Sequence, residues 1–239
     1  FKIYMIPKGE RKDFEEDAEK EFKNRIEDIF EQLSALKREI YRKVPDCYAT
    51  AIEYNSSSNH PLPKNLVGID DVKLVVTSPP YGDSRTTVAY GEFSWFSNRI
   101  LNLYPKVKQG TMDKELMGGR SIPTQMRNLG GLPLVLNKIH RKRRKEVKSF
   151  FHEYQKSMNK VSKILQPGGI CCYVVANRNV DGQTIPMDEF TRLYFEDCGL
   201  VHVGTYTRDI TRKRLARRNN KTDLMNKEII VVMYKPLSP

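Results

Sequence analysis

A chain of 239 residues, 39% hydrophobic and 10% aromatic, can fill one large domain, or a domain carrying a sizeable insertion. Lys and Arg number 41 against 29 Asp and Glu, and the resulting +12 favours a partner with a phosphate backbone. No apolar run approaches the ~20 residues that cross a bilayer and no signal-peptide pattern is present, so a cytoplasmic protein with no membrane partner is expected.

Residues 11–43 place Phe14, Ala18, Phe22, Ile26, Ile29, Phe30, Leu33, Leu36 and Ile40 at steps of three and four, one apolar face of a long helix. Acidic residues crowd its start, as the macrodipole prefers, and Pro45 stops it. A short strand is expected over residues 48–54, then the loop "NSSSNHPLPKN", then the strand "VKLVV" over 72–76. That strand runs into "TSPPYGDS", where two consecutive prolines end the pairing and make a rigid corner.

Residues 91–139 are irregular, with "LMGGR" and "NLGGLP" as turn signals. From Ser149, Phe150, Tyr154, Met158, Val161 and Leu165 share a helical face, and "QPGG" breaks the helix. "ICCYVVA" over 170–176 is the continuous apolar run of a strand covered on both faces. Its Cys171 and Cys172, like Cys47 and Cys198, lack metal-type spacing, so reduced thiols and no metal site are expected. A helix over 187–197 with Gly199 behind it, then the strands "VHVGTY" and "EIIVVMY" (228–234), complete the chain. This alternation predicts an open α/β sheet with a largely parallel centre, whose ligand crevice lies at the carboxyl ends of the strands, beside the Ser-Pro-Pro-Tyr corner.

An aromatic amino group is a poor nucleophile, because its lone pair is delocalised into the ring. Acceptors at its two N–H groups draw it toward tetrahedral geometry, so positioning and electrostatics alone can promote its alkylation. Ser78 Oγ is one such acceptor. The Pro79 carbonyl is another, held rigid because Pro80 follows. Tyr81 offers a flat face for an extruded base, at a stacking gain of ~1–3 kcal/mol. The structural alternative is a Pro-Pro turn capped by a packed tyrosine.

"TSPPYGDS" resembles motif IV of the amino-methylating DNA methyltransferases, which use S-adenosylmethionine. "VSKILQPGG" with "ICCYVVANRNVDGQTIP", "RDITRKRLARRNN" and "EIIVVMYKP" are similar to later parts of the same family, and together they span roughly residues 70–236 discontinuously. The resemblance implies a Rossmann-like methyltransferase sheet, present here in its later strands and carrying an irregular insertion. It implies Ser78, Pro79, Pro80 and Tyr81 as the catalytic corner, with double-stranded DNA as partner. A leading Ser is commoner among cytosine-N4 enzymes and a leading Asp or Asn among adenine-N6 enzymes, so cytosine N4 is the expected target. Adenine N6, or a DNA-binding subunit without activity, are the alternatives. Cytosine C5 chemistry needs a nucleophilic Cys, usually after Pro, and no Pro-Cys dipeptide occurs.

The glycine-rich cofactor loop of that family has no counterpart among "PKGE", "LMGGR", "LGGLP", "QPGG" or "LVGID". The chain opens on Phe1 rather than Met, so the expectation is that an upstream segment or a second polypeptide carries the cofactor half. Residues 1–45 would then link to that half, 46–90 and 149–239 would form the catalytic α/β domain, and 91–148 would be an insertion suited to target recognition. Asn55, Ser56 and Thr77 are the residues here expected nearest the cofactor. Two basic clusters, "KIHRKRRKEVK" with Arg141 and Arg143, and "RDITRKRLARRNNK" with Arg212, Lys213, Arg214, Arg217 and Arg218, suit DNA phosphates, as does Arg85 beside the corner.

Overall fold

The computed structural model describes residues 18–46, 50, 52, 54–61, 72–81, 98, 117, 125–210 and 227–237. The chain divides into two compact units, Phe1–Glu53 and Tyr54–Pro239. In the first, α1 (Ala18–Lys43) carries the expected stripe of Ile26, Ile29, Phe30, Leu33, Leu36 and Ile40. Its last turn is basic, and Glu39 pairs with Arg42 at 2.8 Å and Lys43 at 3.3 Å. The Val44 N–H closes the final turn on the Ile40 carbonyl at 2.7 Å, and Pro45 prevents continuation. Residues 11–17 of the expected helix, and most of the expected strand over 48–54, lie outside the described residues.

The second unit is a mixed α/β structure, as the alternating pattern predicts, but among the described residues its sheet is not largely parallel, since two of its three strand pairings are antiparallel. Its four-stranded sheet has the order β1-β2-β6-β5, with β1 (Val72–Thr77), β2 (Leu165–Val175), β5 (Val201–Asp209) and β6 (Lys227–Tyr234). β1 and β2 are parallel, and the antiparallel β6 lies between β2 and β5. The carboxyl ends of β1, β2 and β5 therefore share one edge of the sheet with the amino end of β6. Between β1 and β2 the chain forms α2 (Leu132–Lys138) and α3 (Arg141–Ile164), and α4 (Met187–Asp197) joins β2 to β5.

One face of the sheet carries the core. Val147, Phe150, Phe151, Tyr154 and Met158 recur at helical spacing along α3 and are fully or almost fully buried. They meet Phe190 and Phe195 of α4 and Cys171, Tyr173, Val175, Val231 and Met233 of the sheet. Edge-to-face contacts, Phe151 to Phe190 at 4.5 Å and Tyr173 to Phe195 at 4.9 Å, bind the layers. The register places Leu74 opposite Ile170 and Val76 opposite Cys172 on the other face, where Leu74 is 59% and Val76 66% exposed. The expectation of a strand covered on both faces holds for one face only among the described residues.

Three boundaries differ from the periodic reading. α3 begins at Arg141 rather than near Ser149: His140 caps it by accepting from the Lys142 N–H at 3.4 Å, and the basic run forms its first turns. Leu132, Leu136, Ile139 and Val147, assigned by sequence to the insertion, are core residues. β2 begins at Leu165, because "QPGG" is held against the sheet by Gly168 N–H to the Lys235 carbonyl (2.8 Å) and Lys235 N–H to the Gly169 carbonyl (2.9 Å). The register shift between Val72 and Leu74 absorbs the extra residues.

A hairpin of β3 (Arg178–Val180) and β4 (Gln183–Ile185) follows β2. Asp181 at φ 49° and Gly182 at φ 74° form its two-residue turn, the left-handed pair that a tight hairpin needs. The hairpin brings the chain back so that Asn177 Oδ1 accepts from the Met187 (2.8 Å) and Asp188 (3.2 Å) N–H groups. It thereby caps α4, whose own N-cap, Pro186, has no side chain for the task.

Candidate active site

β1 delivers Thr77 and then Ser78, Pro79, Pro80 and Tyr81 at the carboxyl edge of the sheet. Ser78 and Pro80 are exposed, and Pro79 and Tyr81 half-buried. The two prolines withdraw from the ladder and turn the chain, which returns the Tyr81 hydroxyl to within 3.0 Å of Ser78 Oγ. Tyr81 also reaches across the end of β2 to β6, where its hydroxyl donates to Glu228 Oε1 at 3.4 Å. Adjacent strands lie ~4.8 Å apart, so crossing one strand to reach the next but one needs a side chain of tyrosine length.

Glu228 is itself held. It sits opposite Arg208 in the β5–β6 register, and its Oε2 accepts from Arg208 Nε at 3.1 Å and from Nη2. The result is one connected line of polar groups, Ser78–Tyr81–Glu228–Arg208, along the carboxyl edge. Sequence reading singled out the first two and missed Glu228. Its only trace is a lone acid at the start of an apolar strand, and nothing local pairs it with a tyrosine 147 positions earlier.

Asn55 and Ser56 are engaged elsewhere. Asn55 Oδ1 accepts from Ser57 N–H (3.0 Å) and Oγ–H (2.8 Å), a self-closed turn. Ser56 Oγ accepts from Ser157 of α3 at 2.9 Å, and Lys160 of α3 donates to the Tyr54 hydroxyl and to the His60 carbonyl at 2.8 Å. The loop is thus stapled to α3.

Arg141 is exposed in the first turn of α3, whereas Arg143 turns inward and pairs with the buried Glu146 at 2.5 Å. The next arginine, Arg144, donates to the Asn137 and Ile139 carbonyls, both at 3.2 Å, closing the end of α2. Two of the three arginines of this run, Arg143 and Arg144, therefore have structural partners. Arg85 and residues 211–226, with Arg212, Lys213, Arg214, Arg217 and Arg218, lie outside the described residues. Among the described residues no group of three or more His, Cys, Asp or Glu side chains gathers as a metal site, and no helix is long and apolar enough to cross a membrane. Burial pushes the Cys171 thiol up to about 12, with Cys172 adding to the shift, which makes it an inert core group.

No family model matches the chain. It is similar to the type II methyltransferase M.MvaI of Kocuria varians, 29% identical over 254 residues that cover 98% of this chain and 55% of the relative. The chain thus spans about half the length of the curated relative it matches. Among solved structures, a candidate DNA modification methylase of Thermus thermophilus overlays at a TM-score of 0.35 and 16% identity, covering 71% of this chain and 48% of that one. The same protein complexed with S-adenosyl-L-methionine overlays at 0.36 and 15%, covering 70% and 46%. A candidate methyltransferase of Thermoplasma acidophilum overlays at 0.26 and 15%, covering 69% of each chain. At those scores the overlays establish no residue correspondence.

Proposed function

We propose that this chain is the catalytic portion of a DNA methyltransferase acting on the exocyclic amine of a flipped base, with N4 of cytosine as target and N6 of adenine as the alternative. The observation that carries the reading is the Ser-Pro-Pro-Tyr corner at the carboxyl end of β1, beside the carboxyl end of the parallel β2, in a chain similar to a type II methyltransferase. Ser78 Oγ and the Pro79 carbonyl accept the two amine hydrogens, and Tyr81 supplies a stacking face. Loss of ring conjugation at the amine would then expose its lone pair for in-line attack on the donor's methyl group, with the methyl–sulfur bond breaking to leave a neutral thioether and one amine proton passing to water.

S-adenosylmethionine is the methyl donor in this reading. Of the residues expected nearest it, Asn55 turns its Oδ1 to Ser57 and Ser56 accepts from Ser157. We assign its binding to a further segment or second polypeptide. Support comes from the relative's greater length and from Leu74 and Val76, exposed apolar residues on a strand at the margin of the described sheet. Double-stranded DNA would lie along Arg141 and the 211–226 segment. Arginine at the positive end of a helix opposes the macrodipole, and α3 has no acid in its first turn, a placement that suits a phosphate partner. A cytoplasmic location follows from that substrate.

Mass spectrometry of nucleosides from DNA incubated with the protein carrying this chain and S-adenosylmethionine tests the reading. N4-methylcytosine is expected, and Ser78→Ala should lower its yield at least tenfold. N6-methyladenine would select the alternative target, and DNA binding with no methylated nucleoside would replace the enzyme by a binding subunit.

A further inference from the structure

The geometry points to Glu228 and Arg208 as positioning residues that set the hydrogen-bond direction of Ser78, so that its hydroxyl accepts from an amino group and rejects a carbonyl. This rests on the amino-methyltransferase reading. A carboxylate accepts hydrogen bonds and has none to give. Oε2 of Glu228 is occupied by the Arg208 guanidinium, and Oε1 faces the Tyr81 hydroxyl at 3.4 Å. Tyr81 has one hydroxyl hydrogen. Once it is donated to Glu228, the tyrosine oxygen can only accept from Ser78, 3.0 Å away. The Ser78 hydrogen is then committed, and an arriving base meets the lone pairs of Oγ.

The consequence is chemical selection between two groups of the same size. An exocyclic amine brings an N–H to those lone pairs. The carbonyl at the same position of uracil or hypoxanthine brings lone pairs of its own, and Ser78 has no hydrogen left to offer it. Serine alone lacks this preference, because its hydroxyl can rotate to donate or accept; an Asn or Asp carbonyl oxygen at the same position would have it built in. The line through Tyr81 to the Arg208–Glu228 pair gives a serine the one-way character of a carbonyl oxygen.

The test uses the protein carrying this chain and a duplex containing the sequence at which its methylation is mapped, without cofactor. The target position holds cytosine or uracil opposite an abasic site, so that extruding either base costs alike; if the product is N6-methyladenine, adenine and hypoxanthine replace them. Fluorescence anisotropy should give a preference for cytosine of roughly tenfold or more, the scale of a base-edge hydrogen-bond discrimination. Tyr81→Phe keeps the ring and the fold but removes the link, and Glu228→Ala removes the acceptor; each should lower the preference about threefold or more, the Pro79 carbonyl, a fixed acceptor, keeping the remainder. Glu228→Gln, whose amide oxygen still accepts, should retain part of it. An unchanged cytosine-to-uracil ratio in both Tyr81→Phe and Glu228→Ala overturns the assignment while leaving the amino-methyltransferase reading of the wild-type protein standing. Absence of any methylated nucleoside from the wild-type protein overturns the underlying reading and this inference with it.

Discussion

Among the described residues, two tyrosine hydroxyls each join a serine or threonine hydroxyl, one in the core and one at the edge of the sheet. Tyr154 is 1% exposed and donates to Thr191 Oγ1 at 2.9 Å, whose own hydrogen goes to the Met187 carbonyl at 2.6 Å. The direction of that chain is set by a helix carbonyl, and every member is enclosed. Tyr81 is half-buried, and its chain runs the other way through space, from an exposed serine to an ion pair. The same chemistry stabilises structure where both ends are closed, and prepares a ligand contact where one end is open. Burial also raises the Tyr154 hydroxyl pKa well above its ordinary value, with neighbouring Tyr173 adding to the shift, so it stays protonated.

The comparison can be sharpened by experiments of decreasing size. Phe190→Ala removes the ring contacts to Phe151 and to Tyr154 and should cost about 3–5 kcal/mol in urea unfolding, against little for any edge residue. Alkaline pH should come next. The folded state raises the Cys171 thiol from 9.0 to about 12 by burial, and burial raises Tyr154 and Tyr173 as well. A folded pKa above the unfolded one means stability complete below pH 9 and lost as pH rises through about 12. The urea midpoint should accordingly fall above pH 9 in the wild type and in Tyr81→Phe alike.

Tyr154→Phe should then cost about 1 kcal/mol, one buried hydrogen bond, and leave the cytosine-to-uracil ratio unaltered. Tyr81→Phe should reverse that outcome, with stability within about 0.5 kcal/mol of wild type and the ratio lowered. Equal stability losses in the two variants would erase the distinction between core and edge. A comparably small effect on stability is expected for Arg208→Ala, an exposed partner worth under about 1 kcal/mol to folding, read by thermal melting.

Local chemistry made much of this molecule legible beforehand. The helix at about 187–197 was readable, because Met187, Phe190, Thr191 and Phe195 share one face between Pro186 and Gly199. The strand into Ser78 was readable because two prolines cannot remain in a ladder. The amino end of α3 was not, since "RKRR" has no apolar period and its start depends on His140 and on burial of Val147. The Asp181-Gly182 turn was a hairpin signal passed over in the polar stretch between the strand over 170–176 and the helix over 187–197.

By itself, then, the sequence determined α1, α4 and the four strands of the sheet, the apolar faces of α1 and α3 and the chemistry available at Ser-Pro-Pro-Tyr, because periodicity and backbone restriction act over a few residues. Only the tertiary structure decided that β6 enters between β2 and β5, antiparallel, and so brings Glu228 to Tyr81 and Arg208 to Glu228. Strand order is settled by burying faces across the whole domain, and no local pattern encodes it. The corner was visible in the sequence; the direction in which its hydroxyl points came from the fold.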